Sequence, residues 1–239
     1  MKKCIMICIL AFLVVWCLNT DVMASKQRHL RENAKAKSNS GSDIEVYVEV
    51  EKDTEPGSEV GIISFEVGGD GDTLDNIKEV QIKAPSGKKS ILKNGLGFGG
   101  SEFSYESDYE VLQSKFPEGR YLITFSPKKY GDITINITYD FPSTPVITYP
   151  EDGATNVPLN FTIEWELLDD IDGLRLIIEG EEGDDMDFEK ELSIDATSFT
   201  LPEDILLPNS QYQIQLKAFK DGENVSISTR SIYFTTGSE

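Results

Sequence analysis

One stretch of the chain carries the strongest structural signal: Leu206-Leu207-Pro208-Asn209-Ser210-Gln211-Tyr212-Gln213-Ile214-Gln215-Leu216-Lys217-Ala218. From Tyr212 onward apolar and polar residues alternate, which predicts a β-strand with one buried face. Pro208 cannot donate a hydrogen bond to a sheet and stiffens the entry to that strand. We expect the Tyr212 ring to be buried while its hydroxyl reaches back to the backbone of the incoming loop.

The same corner occurs a second time, nearer the N-terminus. Pro117, Tyr121 and Gly131 recur at a constant offset as Pro208, Tyr212 and Gly222. The offset is about 90 residues, the size of one small β-sandwich. The chain is therefore predicted to hold two tandem modules.

Alternating apolar residues predict further strands in both modules. In the first module the predicted strands cover 43–50, 60–67, 77–83, 88–93, 121–125 and 133–139. In the second they cover 146–149, 160–165, 173–179, 188–192, 198–201, 212–218 and 225–235, with Phe161, Ile163 and Trp165 facing inward. The two prolines of the junction, Pro142 and Pro145, predict a short and stiff connection.

The second module resembles fibronectin type III domains over residues of about 144–236. The resemblance is carried by the Leu-x-Pro-Asn-Ser-x-Tyr-x-Ile-x-Leu-x-Ala pattern from Leu206 to Ala218, by Trp165, and by the last strand around Ile232 to Thr236. It implies a β-sandwich in which Trp165, Pro208 and Tyr212 are structural residues. The first module shares the Tyr121 corner but lacks the Trp, so we interpret it as a related immunoglobulin-like sandwich of unassigned family.

The N-terminus has the features of a signal peptide. Lys2 and Lys3 precede an apolar run from Cys4 to Leu18, and Val22-Met23-Ala24 forms a small-residue cleavage site. The apolar run is shorter than the about 20 residues of a spanning helix, although retention as an uncleaved anchor is the alternative. We predict a secreted, periplasmic or cell-surface protein that contacts a membrane only if this segment is retained.

The predicted organisation is all-β: two tandem immunoglobulin/fibronectin-III-like β-sandwiches after a signal peptide and a disordered tether. The signal peptide covers 1–24, the polar and basic tether 25–42, the first sandwich 43–141 and the fibronectin type III-like sandwich 142–239.

Composition excludes several kinds of chemistry from the predicted folded body. Cys4, Cys8 and Cys17 lie in the leader and the only histidine, His29, lies in the tether. Thiol and imidazole nucleophiles and common zinc sites are therefore not expected, and no cofactor is predicted.

The net charge of −20 disfavours nucleic acid as a partner. The glycines from Gly95 to Gly100 resemble a dinucleotide motif, but the strand-like sequence that follows offers no helix N-terminus for a pyrophosphate.

The acidic loops offer one candidate metal site. In this sandwich order two loops of the second module face the junction. They carry five carboxylates, which would surround the junction near Asp140. We predict a junction Ca²⁺ site from oxygen ligands; solvated loops without metal are the alternative. Its candidate ligands are Asp140, Asp169, Asp170, Asp172, Asp221 and Glu223.

The sequence favours an exported, non-catalytic adhesion, binding or spacer protein. Its partner would be an extracellular protein or a glycan recognised by sandwich loops. Two alternatives stay open: a structural subunit of a cell-surface assembly, and a carboxylate-based enzyme acting on glycans. A concave pocket with two convergent carboxylates would favour the enzyme.

Overall fold

A computed structural model describes residues 36–37, 44–68, 76–92, 101–180, 187–222 and 224–238. The predicted signal peptide, the remainder of the tether and the glycine-rich stretch at 95–100 lie outside the described residues. Within those ranges, no helix has the length and apolar character needed to cross a membrane.

The first part of the chain forms two facing sheets. Strands β2, β3 and β6 pair antiparallel in one sheet, and β5, β4, β7 and β8 form the other in that order. The elements are β1 (Ala36–Lys37), β2 (Glu45–Glu55), β3 (Ser58–Gly68), β4 (Glu79–Lys83), β5 (Lys89–Leu92), β6 (Ser101–Asp108), helix α1 (Tyr109–Lys115), β7 (Gly119–Ser126), a 3₁₀ turn (Lys128–Tyr130) and β8 (Asp132–Ile137).

The core of this sandwich follows from the predicted alternation. Val46 and Phe65 from one sheet and Ile123 and Ile135 from the other belong to a single buried cluster. Tyr121 is fully buried, and its hydroxyl donates a hydrogen bond to the Pro117 carbonyl oxygen at 2.7 Å. The corner predicted at Tyr121 is thus present, and it ties β7 to the loop that precedes it.

The second part of the chain forms a seven-stranded sandwich with an additional short strand, β10. Strands β14, β11 and β9 form one sheet, which faces β13, β12, β15 and β16. The elements are β9 (Ile147–Tyr149), β10 (Ala154–Val157), β11 (Thr162–Trp165), β12 (Gly173–Gly180), β13 (Asp187–Leu192), β14 (Ser198–Thr200), β15 (Gln211–Lys220) and β16 (Val225–Thr236).

Trp165 and Tyr212 occupy the core of the second sandwich, as predicted. The Trp165 indole donates to the Ala196 carbonyl oxygen at 2.8 Å, and the Tyr212 ring stacks on Phe234 with centroids 5.6 Å apart. Pro208 is exposed in the loop before β15.

The Tyr212 hydroxyl forms its backbone bond with the opposite polarity from Tyr121. It accepts a hydrogen bond from the Leu207 N–H at 2.8 Å, whereas the Tyr121 hydroxyl donates. A tyrosine hydroxyl can donate or accept, so residue type and spacing could not settle the direction.

The two sandwiches share one continuous sheet although their cores are separate. β16 pairs in parallel with β2, from Val225 opposite Glu49 to Arg230 opposite Thr54. The sheet therefore runs β13-β12-β15-β16-β2-β3-β6 through both modules. The main apolar clusters remain distinct, one on either side of this pairing.

Some elements differ from the sequence prediction. Ala36–Lys37, within the predicted tether, forms β1 and pairs with Glu45 and Val46. β10, at Ala154–Val157, lies between the predicted strands 146–149 and 160–165, and it pairs in parallel with the end of β16. Helix α1 was not predicted; it is short, and Leu112 is its one buried residue.

Replacing Tyr212 by Phe should lower the free energy of unfolding by about 1–2 kcal/mol, because the Leu207 N–H loses its partner while the ring packing is kept. Urea denaturation followed by Trp165 fluorescence measures this loss. Tyr233→Phe is the matched control, since the Tyr233 side chain is exposed and its hydroxyl bonds to side chains, not to a buried backbone group; a loss below about 0.5 kcal/mol is expected there. Equal losses in the two variants would contradict the buried-corner role.

Candidate functional site

Polar side chains fill the line along which the sandwiches join. We call Glu51, Asp53, Lys217, Thr229 and Ser231 the module seam. The Glu51 carboxylate accepts from the Lys217 ammonium at 2.8 Å and from the Thr229 hydroxyl at 2.5 Å. The Ser231 hydroxyl donates to Asp53, 3.0 Å from its Oδ1. Each bond joins β2 of the first sandwich to β15 or β16 of the second.

The centre of the seam is shielded from water, whereas Asp53 and Lys217 are partly exposed. Glu51 is 7% exposed, and Thr229 and Ser231 are fully buried. Burial alone would lower the pKa of Lys217, but the charge and hydrogen bond of Glu51, with the charges of Glu49 and Asp53, together outweigh burial and hold that pKa above its usual value. Removing one member of a buried ion pair typically costs about 3–5 kcal/mol, because the remaining charge stays buried without a counterion. The seam thus opposes separation of the modules.

Asp53 carries the second seam carboxyl. Burial raises its pKa to about 6; the Ser231 hydrogen bond opposes that rise, the charges of Glu51 and Glu55 add to it, and Lys217 opposes it. Two carboxylates and one ammonium at the seam leave an excess negative charge when Asp53 is ionised. Protonation of Asp53 therefore strengthens the seam.

The connection between the modules is also fastened by hydrogen bonds. The buried Asn224 side chain accepts from the Thr138 N–H at 2.7 Å, and the Ser228 hydroxyl donates to the Pro142 carbonyl oxygen at 2.7 Å. Pro142 and Pro145 are themselves buried. The junction that was predicted to be stiff is held by the start of β16.

The acidic residues predicted to bind calcium are partly brought together around a lysine. The Lys220 ammonium lies 2.6 Å from Asp170 Oδ2 and 3.3 Å from Asp140 Oδ2. Asp172 accepts from the Asp221 N–H at 2.9 Å, whereas Asp169 is exposed.

The remaining candidate ligand, Glu223, lies outside the described residues. Within the described ranges no group of three or more His, Cys, Asp or Glu residues is placed to hold a metal ion. The junction Ca²⁺ site therefore stays a prediction, and a calcium ion there would compete with Lys220 for Asp140 and Asp170.

Asp221 is the other carboxyl with a strongly raised pKa. Burial and the neighbouring Asp172 charge raise this pKa to about 6. The Asp221 Oδ1 atom is buried without a hydrogen-bond partner. The two carboxyls with raised pKa values lie at different places: Asp53 is in the module seam, and Asp221 is at the junction.

The module seam was not predicted from the sequence, although the scarcity of basic residues gives a signal for it. Residues 142–239 contain five basic residues. Lys217 and Lys220 contact carboxylates of the first sandwich, and Arg230 lines an open groove with the hairpin residues from Thr54 to Glu59. Three of the five thus lie against the acidic first module.

The strand order and the buried corners define the class: the chain is an all-β protein of two tandem β-sandwiches. Similar solved structures include a two-domain fibronectin type III segment of chicken tenascin, with 16% identity, a TM-score of 0.30, and 84% of this chain and 99% of that chain covered. The FN1-FN3 domains of chicken CNTN1 give 16% identity and a TM-score of 0.32, covering 78% of this chain and 68% of that one.

A computationally redesigned β-sandwich protein gives 25% identity and a TM-score of 0.30, and the match covers 41% of this chain and 90% of that chain. No family model and no curated protein matches the chain. TM-scores near 0.3 add nothing to what the strand order shows by itself.

Replacing Asp53 by Asn should reduce the change in the free energy of unfolding between about pH 5 and pH 8. The folded-state pKa of Asp53 is raised from 3.8 to about 6, so its contribution is fully present below pH 3.8 and is lost as the pH rises through about 6. From about pH 5 to pH 8 the wild type should lose about 1–2 kcal/mol more than Asp53→Asn, after allowance for partial solvent screening. Urea denaturation across this range measures the difference.

The matched control for this prediction is Asp195→Asn, which neutralises an exposed carboxylate in the turn after β13. It should follow the wild-type pH dependence. If Asp53→Asn also follows the wild type, the seam carboxyl does not titrate in this range and the prediction is wrong.

Proposed function

We propose that this protein is an exported, non-catalytic spacer and binding protein that presents sandwich loops to an extracellular protein or polysaccharide. The fixed relation between its two modules carries the proposal. A flexible tandem would place its outer loops at variable distances, whereas backbone pairing between β2 and β16 sets one orientation. The signal-peptide pattern at residues 1–24 supports export.

The seam supports a spacer rather than a catalytic role for the most buried charges. Glu51 and Lys217 neutralise each other, and Thr229 occupies a further hydrogen-bonding position on Glu51. A general acid or base must reach a substrate proton, and these groups are turned toward one another inside the molecule. Their arrangement serves attachment between modules.

Distances between the modules test the spacer role. In a chain whose three cysteines are replaced by Ser, nitroxide labels at Ser86→Cys and Ser193→Cys sit on exposed turns of the first and second sandwich. Pulsed electron paramagnetic resonance should give one narrow distance distribution. Glu51→Lys should broaden it, because two ammonium groups would then meet at the seam.

The matched control for the distance measurement is Glu106→Lys, which makes the same charge change at an exposed position of β6 in the same sheet. It should leave the distribution narrow. A broad distribution in the unsubstituted protein would contradict the spacer proposal, whatever the variants do.

Export and binding have separate readouts. Intact-mass measurement of protein from the envelope or the medium should show a chain that begins at Ser25, because cleavage is expected after Ala24. The processed protein, immobilised through its C-terminus, should retain an envelope protein or a polysaccharide on a pull-down or glycan array. Met1 retained on membranes would overturn cleavage, and a full-length protein confined to the cytosol would overturn the proposed function.

A further inference from the structure

The direction of the strands at the seam has a mechanical consequence. β2 leads into the first sandwich, and β16 is the last strand of the second. The two strands run parallel over six paired residues, from Glu49 opposite Val225 to Thr54 opposite Arg230. A load applied before β2 and after β16 therefore pulls the two strands past each other along their length.

In this geometry the hydrogen bonds of the pair share the load. When strands are pulled at opposite ends, all the bonds across the pair are strained together; when they are pulled apart at one end, the bonds break one after another. Forced rupture is governed by the barrier to unfolding under load. Pulling the strands at opposite ends should therefore need a higher rupture force than peeling them apart from one end.

The load also bypasses the covalent connection between the modules while the pair holds. The covalent path from β2 to β16 runs through the first sandwich, the proline-containing connection and the second sandwich in series. The pairing links β2 and β16 directly, so the load crosses from one sandwich to the other at the pair and does not pass through the proline-containing connection until the pair gives way. Side-chain bonds from Glu51 to Lys217 and Thr229, and from Asp53 to Ser231, cross the same line.

We propose that the β2–β16 pair and the module seam form a mechanical clamp, which gives this protein resistance to force between its N-terminal and C-terminal sides. The inference rests on the proposed spacer function and adds what the spacer is built to withstand. A chain held on its N-terminal side and pulled on its C-terminal side would be loaded along this direction.

Single-molecule force spectroscopy on the full chain tests the clamp, with its three cysteines replaced by Ser. In the first arm, handles at the N-terminus and after Thr236 load the strands in opposite directions. In the second arm, the N-terminal handle is combined with Gly222→Cys, which places both attachments at one end of the pair. A Cβ at Gly222 would lie 3.6 Å from the Asn224 carbonyl oxygen, an ordinary contact.

The first arm should show an initial rupture before the two sandwiches unfold, at a force about twofold or more above that of the second arm, because six residue pairs share the load. Glu51→Lys should remove most of this difference, and the matched Glu106→Lys should retain it. Circular dichroism and Trp165 fluorescence at zero force verify that each variant is folded. Ser231→Ala is a milder second variant, expected to lower the initial rupture force without unfolding either core.

Equal rupture forces in the two arms, or a difference that Glu51→Lys leaves unchanged, would overturn the clamp. The result is separable from the test of the spacer. A narrow distance distribution with equal rupture forces removes the clamp and leaves the spacer, whereas a broad distribution removes both.

Discussion

The structure depends on how two edge strands satisfy their backbone hydrogen bonds. β2 and β16 each border one sandwich, and an unpaired edge exposes a row of N–H and C=O groups that invites pairing with another chain. Here each edge is covered by the other, from Glu49 opposite Val225 onward. The pairing removes two exposed edges at once. Because its register is regular, it holds the modules at one angle, as hydrogen bonds hold neighbouring strands of a sheet.

Opposite charges accompany the meeting of these two edges. The protein carries a net charge of −20, so a second module that approached through acidic residues would be repelled. Lys217 and Lys220 lie on the same strand and meet Glu51 and Asp140 of the first module. A buried ion pair adds little net stability compared with apolar packing, but a misaligned arrangement would leave Glu51 buried without a counterion. The pair therefore acts mainly on specificity.

The sequence predicts what is local and periodic. Alternation located most of the strands, and the proline-tyrosine spacing located both corners around Tyr121 and Tyr212. The β2–β16 pairing could not be predicted in this way. Alternation shows that each segment is a strand, but it does not show which distant strand is its partner. Helix α1 was missed for a different reason: Tyr109, Leu112 and Phe116 have helical spacing, but a single short helix between strands gives too few repeats of the pattern.

Register explains why the seam forms together with the second core and not independently of it. Along β16, Ile232 and Phe234 face the second core, whereas Thr229 and Ser231 reach the carboxylates of β2. Successive strand residues point to opposite faces, so a slip of one residue would move the apolar side chains out of the core and the hydroxyl groups into it. Burial of Phe234 thus places Ser231 at Asp53, and folding of the second sandwich determines how the first is attached.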